Sequence, residues 1–237
     1  MFSFNVDKRE ILIHDEIGPS WWGLIDADSV RSALAEMDGD ILIRLNTPGG
    51  SVDEGIAIYN ELTRYDRGKV TTVVDSLAAS MGSYLLQAGS HRVVLGNSMV
   101  MIHDPWTITY GNSASLRKEA DVLDKYAARM RPDYAARSGK TEEEITAIML
   151  EETWYSGQEI VDAGFADEVS ASAKAEFRPN IAGLHRLCKS VPQSLLDMKA
   201  ENDQARIDDK LLSVGIDRKV MSVAAAKECR ERALQNS

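Results

Sequence analysis

The sequence predicts an α/β fold on a mostly parallel sheet, and three observations carry that expectation. Short apolar, β-rich runs recur at residues 11–13, 41–45, 70–74, 93–95 and 99–103. Helical spacing of apolar residues separates the first of them, as in Val30, Ala33, Leu34 and Met37 or Ile56, Tyr59 and Leu62. Turn residues break the pattern where a strand hands over to a helix, most clearly at Asn46-Thr47-Pro48-Gly49-Gly50. Repeated strand–turn–helix units imply parallel pairing, and such sheets gather ligands at the loops leaving the carboxyl ends of their strands.

Element by element, 11–13 reads as the first strand and 28–37 as a helix. Residues 41–45 form a buried strand stopped by Asn46, and 52–65 form the next helix. The third strand is expected at 70–74 and the third helix at 78–88. Residues 93–95 and 99–103 are further strands. From Ser113 a long helix runs to 138, with Leu116, Ala120, Leu123, Ala127, Met130 and Tyr134 alternating spacings of four and three. That narrow apolar seam is shared with a second helix or laid on the chain's own sheet. Pro132 predicts a kink near its end. Thr141-Glu142-Glu143-Glu144 opens another helix as a capping box. Weakly amphipathic helices are expected over 194–212 and 220–234.

Composition sets the outer bounds. The 237 residues are 44% apolar and 27% charged, the balance of a folded globular protein. A net charge of −10 does not attract phosphate backbones, so nucleic acid is not an expected partner. Residues 1–169 hold 15 basic and 28 acidic side chains (−13), whereas 170–237 hold 12 and 9 (+3). With the polar, small-residue stretch 170–179, that shift places a domain boundary near 170. Cys188 and Cys229 have neither metal nor disulfide-framework spacing, which suits a reducing compartment. No signal-peptide run opens the chain, and no stretch approaches the roughly 20 apolar residues of a membrane span. A cytoplasmic protein without membrane partners is expected.

Four segments carry chemistry. Gly49 and Gly50 allow the backbone to approach a ligand closely, and neither phosphate-loop pattern is present, so the alternatives are a ligand-facing loop and a plain tight turn. In Ala78-Ala79-Ser80-Met81-Gly82, small neighbours expose the Ser80 hydroxyl at a helix start, where the Met81 N–H could hold an oxyanion. A helix-capping serine is the alternative. His103, in Met101-Ile102-His103-Asp104-Pro105, is expected at a strand's carboxyl end, where a general base is useful. A satisfied edge histidine is the alternative. Glu151-Glu152-Thr153-Trp154-Tyr155-Ser156 offers a carboxylate to orient that imidazole, or simply a solvated helix end.

Over residues 8–169 these blocks resemble, in order, the Clp protease proteolytic-subunit family. Asn46–Gly50 is similar to its N-S-P-G-G loop, 78–82 matches A-A-S-M-G, 101–105 matches M-I-H-x-P, and 154–167 resembles its closing segment. The resemblance implies a Clp/crotonase-like spiral of strand–turn–helix units with a long protruding helix, here followed by a C-terminal helical extension. It implies a serine protease domain over 1–169, with Ser80 as nucleophile, His103 as base and Gly50 and Met81 N–H groups as oxyanion hole. No cofactor or metal is implied. The family's triad aspartate falls on Glu152, one methylene longer; on a strand-like segment its neighbour Glu151 points to the other face. Ser76 replaces a usual glycine, and the axial segment that helps engage an unfoldase ATPase is not recognised before the first strand.

The Glu-Glu-Thr-Trp ending and the extension over 170–237 are similar to phage and prophage Clp-like proteases, a branch associated with head maturation. That likeness implies an ATP-independent endopeptidase acting on scaffold or coat protein in the host cytoplasm or inside the procapsid. It also implies a homo-oligomer of stacked rings and an assembly or targeting role for the extension. A Clp-type peptidase working with an unfoldase, an acyl-CoA hydratase or isomerase on the shared fold, and a degenerate assembly protein are the other readings.

Overall fold

The computed structural model describes residues 2–170, 188, 190–193 and 195–197. The chain divides into two compact units, Met1–Ser190 and Val191–Ser237, and every numbered element belongs to the first. Those elements are β1 (Phe2–Asn5), β2 (Glu10–Ile13), α1 (Ala27–Ala35), β3 (Ile41–Thr47), α2 (Val52–Thr63), β4 (Val70–Ala79), α3 (Met81–Leu86), β5 (His91–Leu95), β6 (Met99–Ile102), α4 (Ser113–Ser138), α5 (Glu142–Glu151), β7 (Thr153–Ser156), α6 (Gln158–Asp162) and β8 (Glu168–Ser170). The mixed α/β architecture expected from the sequence is the one observed.

The sheet runs β1-β2-β3-β4-β5-β8, with β6 branching from β4 and β7 from β6. Pairing is parallel from β2 through β8 and antiparallel at β1–β2 and β6–β7. β4 is the pivot. Its first half pairs with β5 through Thr71–Val74, and its second half pairs with β6 through Leu77–Ala79. One long strand thereby serves two neighbours in succession, which turns the sheet.

Two departures from the sequence expectation shape the site. β3 continues through Asn46 and Thr47 instead of stopping at Leu45, because a register irregularity lets Thr47 pair with Ala78. Ala78 and Ala79 belong to β4 and not to a helix over 78–88, since β6 supplies them with ladder partners. Alanine's helix preference is overridden by that pairing.

The core lies between the sheet and helices α1, α2, α3 and the second half of α4. Ile11, Ile43 and Val74 from neighbouring strands bury fully with Val30, Ile58 and Tyr134. Tyr84 stacks on Tyr59 at 4.4 Å between centroids and meets Tyr134 edge-on at 5.6 Å. Burial pushes the Tyr84 and Tyr134 hydroxyls well above the ordinary tyrosine range. Arg92 is buried and satisfied: it donates to both oxygens of Asp167, to Gln87 and to the carbonyls of Arg137 and Gly164. It thereby ties β5 to the end of α4 and to the start of β8.

α4 extends unbroken across Pro132, capped by Asn112 and Gly139. Its seam divides. Ala127, Met130 and Tyr134 are buried in the core, whereas Leu116 and Val122 are 42% and 39% exposed. The capping box at Thr141 and Glu144 forms as expected. The helices expected over 194–212 and 220–234 lie outside the described residues, apart from 195–197. Of the stretch 170–179 only Ser170 is described, and it closes β8. No helix among the described residues is long and apolar enough to cross a membrane.

Candidate active site

Strand register, not sequence proximity, assembles the site. Thr47 on β3 pairs with Ala78 on β4, and Ala79 pairs with Met101 on β6. These parallel strands therefore release their next residues on one side: the 48–50 loop, Ser80 and His103. Across the antiparallel pair β6–β7, Ile102 faces Thr153. One step outward, His103 faces Glu152.

Ser80 stands between β4 and α3 with φ 53° and ψ −122°, a conformation that a residue with a Cβ rarely adopts. Its N–H donates to the Met101 carbonyl at 2.9 Å, anchoring the turn to β6. Although Ser80 occupies the cap position of α3, its side chain makes no capping bond. The hydroxyl Oγ instead lies 2.8 Å from His103 Nε2. The capping alternative raised by the sequence is therefore not what this side chain does.

His103 is 9% exposed and Glu152 7% exposed. Glu152 Oε2 lies 3.7 Å from His103 Nδ1, an ion-pair distance longer than a hydrogen bond. The strand-alternation argument for Glu152 over Glu151 needs correction. Glu151 is the last residue of α5 and is exposed, while Glu152 follows as its left-handed C-cap with φ 56° and ψ 76°. The reversal of backbone hand, not strand pleating, turns Glu152 inward.

Gly49 and Gly50 adopt φ of 95° and 140°. A Cβ at Gly50 would lie 2.0 Å from the Ile17 carbonyl oxygen, and one at Gly49 2.6 Å from Ser80 Cβ. Only glycine fits both requirements. The Gly49 carbonyl accepts from the Ile17 N–H at 2.7 Å, and the Ser51 N–H donates to the Ile17 carbonyl at 2.8 Å. Alternation along this bridge directs the Gly50 N–H away from Ile17. Among the described residues, neither the Gly50 nor the Met81 N–H has an acceptor, so both are available to a ligand oxygen.

A cleft of about 540 Å³ opens over Ser80 and His103, lined by Gly50, Val52, Trp22, Pro105, Trp106, Thr107 and Ile108. Its walls are largely apolar, and Trp22 and Ile108 are 73% and 87% exposed. Gly50 is a residue the sequence singles out, whereas Trp22, Trp106, Thr107 and Ile108 are not; aromatics beside turn residues, at Trp21-Trp22 and Trp106, were the available signal. Nor does the sequence single out Ser190, whose N–H donates to Glu152 Oε1 at 2.9 Å. No local pattern marks that residue. Among the described residues no group of three or more His, Cys, Asp or Glu side chains is placed to hold a metal ion.

A serine hydroxyl, an imidazole and a carboxylate in series, beside two N–H groups of the backbone, can perform acyl transfer through a covalent intermediate. The Clp protease family model matches residues 2–173. The chain is 31% identical to ATP-dependent Clp protease proteolytic subunit 3 of Rhodococcus jostii (strain RHA1) over 175 residues, covering 73% of this chain and 86% of that protein. It is 34% identical to ATP-dependent Clp protease proteolytic subunit 1 of Streptomyces coelicolor (strain ATCC BAA-471 / A3(2) / M145) over 158 residues, covering 63% and 72%. Since the family match takes in every strand and helix numbered above, this chain belongs to the Clp protease family.

Proposed function

We propose that the chain is a serine endopeptidase in which Ser80 is the nucleophile, His103 the general base and Glu152 the carboxylate that orients the imidazole. The 2.8 Å approach of Ser80 Oγ to His103 Nε2 carries this reading. Oγ attacks the scissile carbonyl carbon while its proton passes to Nε2, and the developing oxyanion accepts from the Gly50 and Met81 N–H groups. Collapse of the adduct releases the amine, which takes its proton from His103. Water then attacks the acyl-enzyme with His103 again as base. Reaction with a fluorophosphonate, which esterifies an activated serine, is the test. Ser80→Ala should lose both labelling and peptide hydrolysis while assembling as the parent does; a variant that cleaves as fast as the parent refutes the assignment.

Within the family we infer an ATP-independent role in phage head maturation, acting on scaffold or coat protein in the host cytoplasm or the procapsid. Its support is the Glu-Glu-Thr-Trp ending and the basic extension over 170–237, read as an assembly or targeting segment. A Clp-type peptidase that serves an unfoldase is favoured by a different observation, the names of the two relatives, both ATP-dependent Clp subunits. Cleavage of procapsid protein without ATP supports the first role; co-purification with an ATPase that stimulates cleavage supports the second. In either, the exposed half of α4 is proposed to join copies of the chain into stacked rings. A monomer would leave that apolar stripe in water.

A further inference from the structure

Glu152 stands in an awkward place for a carboxylate. It is nearly buried, and it caps the carboxyl end of α5, where the helix dipole presents negative charge. Relative to an aspartate it also carries one more rotatable bond, so holding its oxygens toward His103 costs more side-chain entropy, which a further contact to the carboxylate offsets. Its two oxygens divide their duties: Oε2 faces His103 Nδ1 at 3.7 Å, and Oε1 accepts the Ser190 N–H at 2.9 Å. The Ser190 hydroxyl lies farther off, at 3.4 Å. Ser190 falls beyond residues 2–173, the part matched by the family model.

We propose that Ser190 is a positioning residue: its backbone N–H fixes the longer Glu152 side chain so that the second carboxylate oxygen orients His103. The inference rests on the serine peptidase reading. The neighbouring Cys188 feels the same carboxylate: burial first, and then the negative charge of Glu152, push its thiol up to about 12. Two further carboxylates adjoin His103 and Glu152 in the chain. Asp104 faces Arg131 at 3.5 Å, and Glu151 is exposed.

The test replaces Ser190 in the full chain. Ser190→Pro removes the N–H, whereas Ser190→Ala and Ser190→Gly keep it. Ser190→Pro should lower kcat for a fluorogenic peptide by about tenfold or more with KM within about twofold, the loss of one hydrogen bond to a charged group. The acid limb of its kcat/KM profile should move to lower pH, because a loosened carboxylate stabilises the imidazolium less. Ser190→Ala and Ser190→Gly should retain the parent's kcat and profile. A folded Ser190→Pro protein with parental kcat and profile overturns the proposal, as does an equal loss in Ser190→Ala. If Ser190→Pro does not fold, amide hydrogen exchange decides: the Ser190 N–H should exchange slowly in the parent and fast in Glu152→Ala. An amide that exchanges fast in both overturns the proposal. A parent that fails to react with fluorophosphonate, yet protects this amide, refutes the peptidase reading and leaves the contact standing.

Discussion

Replacing Glu152 by glutamine keeps the shape of the side chain and deletes its charge. The carboxylate lies 3.7 Å from His103 Nδ1, and both residues are less than a tenth exposed. At an effective dielectric near 20, two unit charges at that distance attract by about 4 kcal/mol; in bulk water the figure falls to about 1 kcal/mol. In the proposed mechanism the imidazolium forms as Ser80 gives up its proton, so at neutral pH this attraction acts on the transition state more than on the resting enzyme. Because both residues are buried, Glu152→Gln should reduce kcat/KM by about 10³-fold; a loss of about fivefold or less would mean that water screens the pair. Glu151→Gln, at an exposed helix end, should stay within about twofold of the parent. A fluorogenic peptide assay, with active sites counted by fluorophosphonate labelling, separates these outcomes. A Glu152→Gln enzyme within fivefold of the parent, or a Glu151→Gln enzyme that is the more damaged, would refute the reasoning.

Gly49→Ala should cost about 1–3 kcal/mol of stability, because φ 95° is unfavourable for alanine and the new Cβ meets Ser80 Cβ at 2.6 Å and the Ala79 carbonyl oxygen at 2.7 Å. Labelling of Ser80 should slow more than thermal melting shifts, and a fully active variant would show that the loop does not crowd Ser80. Leu116→Glu combined with Val122→Glu should dissociate the oligomer without lowering the melting temperature of the subunit, since both side chains are exposed. Light scattering checks it, and a parent that already runs as a stable 26.1 kDa species would end the ring proposal. Asp167 gives a pH dependence of known sign. Burial raises its carboxyl, but bonds from the Arg92 side chain and N–H outweigh that and hold it below the ordinary 3.8. Its contribution is complete above that unfolded value and is lost as pH falls through the folded one. Urea midpoints should fall with acid less steeply in Asp167→Asn, and an unchanged slope would contradict this.

Periodicity and turn chemistry made the strands and helices legible because those signals are local. Residues 11–13 and 41–45 show their strands directly, and Thr141 with Glu144 shows its capping box. The failures were equally physical. Ala78 and Ala79 read as helix because alanine prefers it, and they became strand because β6 arrived with free ladder groups from a distance no local window spans. The alternation argument picked Glu152 for a reason that does not operate there. The left-handed turn at the end of α5 depends on β7 pairing back onto β6.

By itself the sequence determined which residue types were available and in what order: a serine between small neighbours, a histidine ending an apolar run, paired glycines after a strand. It determined the family as well, since four such blocks keep their order and spacing. Only the tertiary structure decided how they meet. Register between β3, β4, β6 and β7 brings residues 50, 80, 103 and 152 to one side, and register is a property of pairs of strands. The tertiary structure also decided the division of α4, whose seam is continuous in sequence but buried only where the core reaches it. It brought the Ser190 N–H to Glu152 across 38 residues, a contact without a sequence pattern because a backbone N–H belongs to almost every residue.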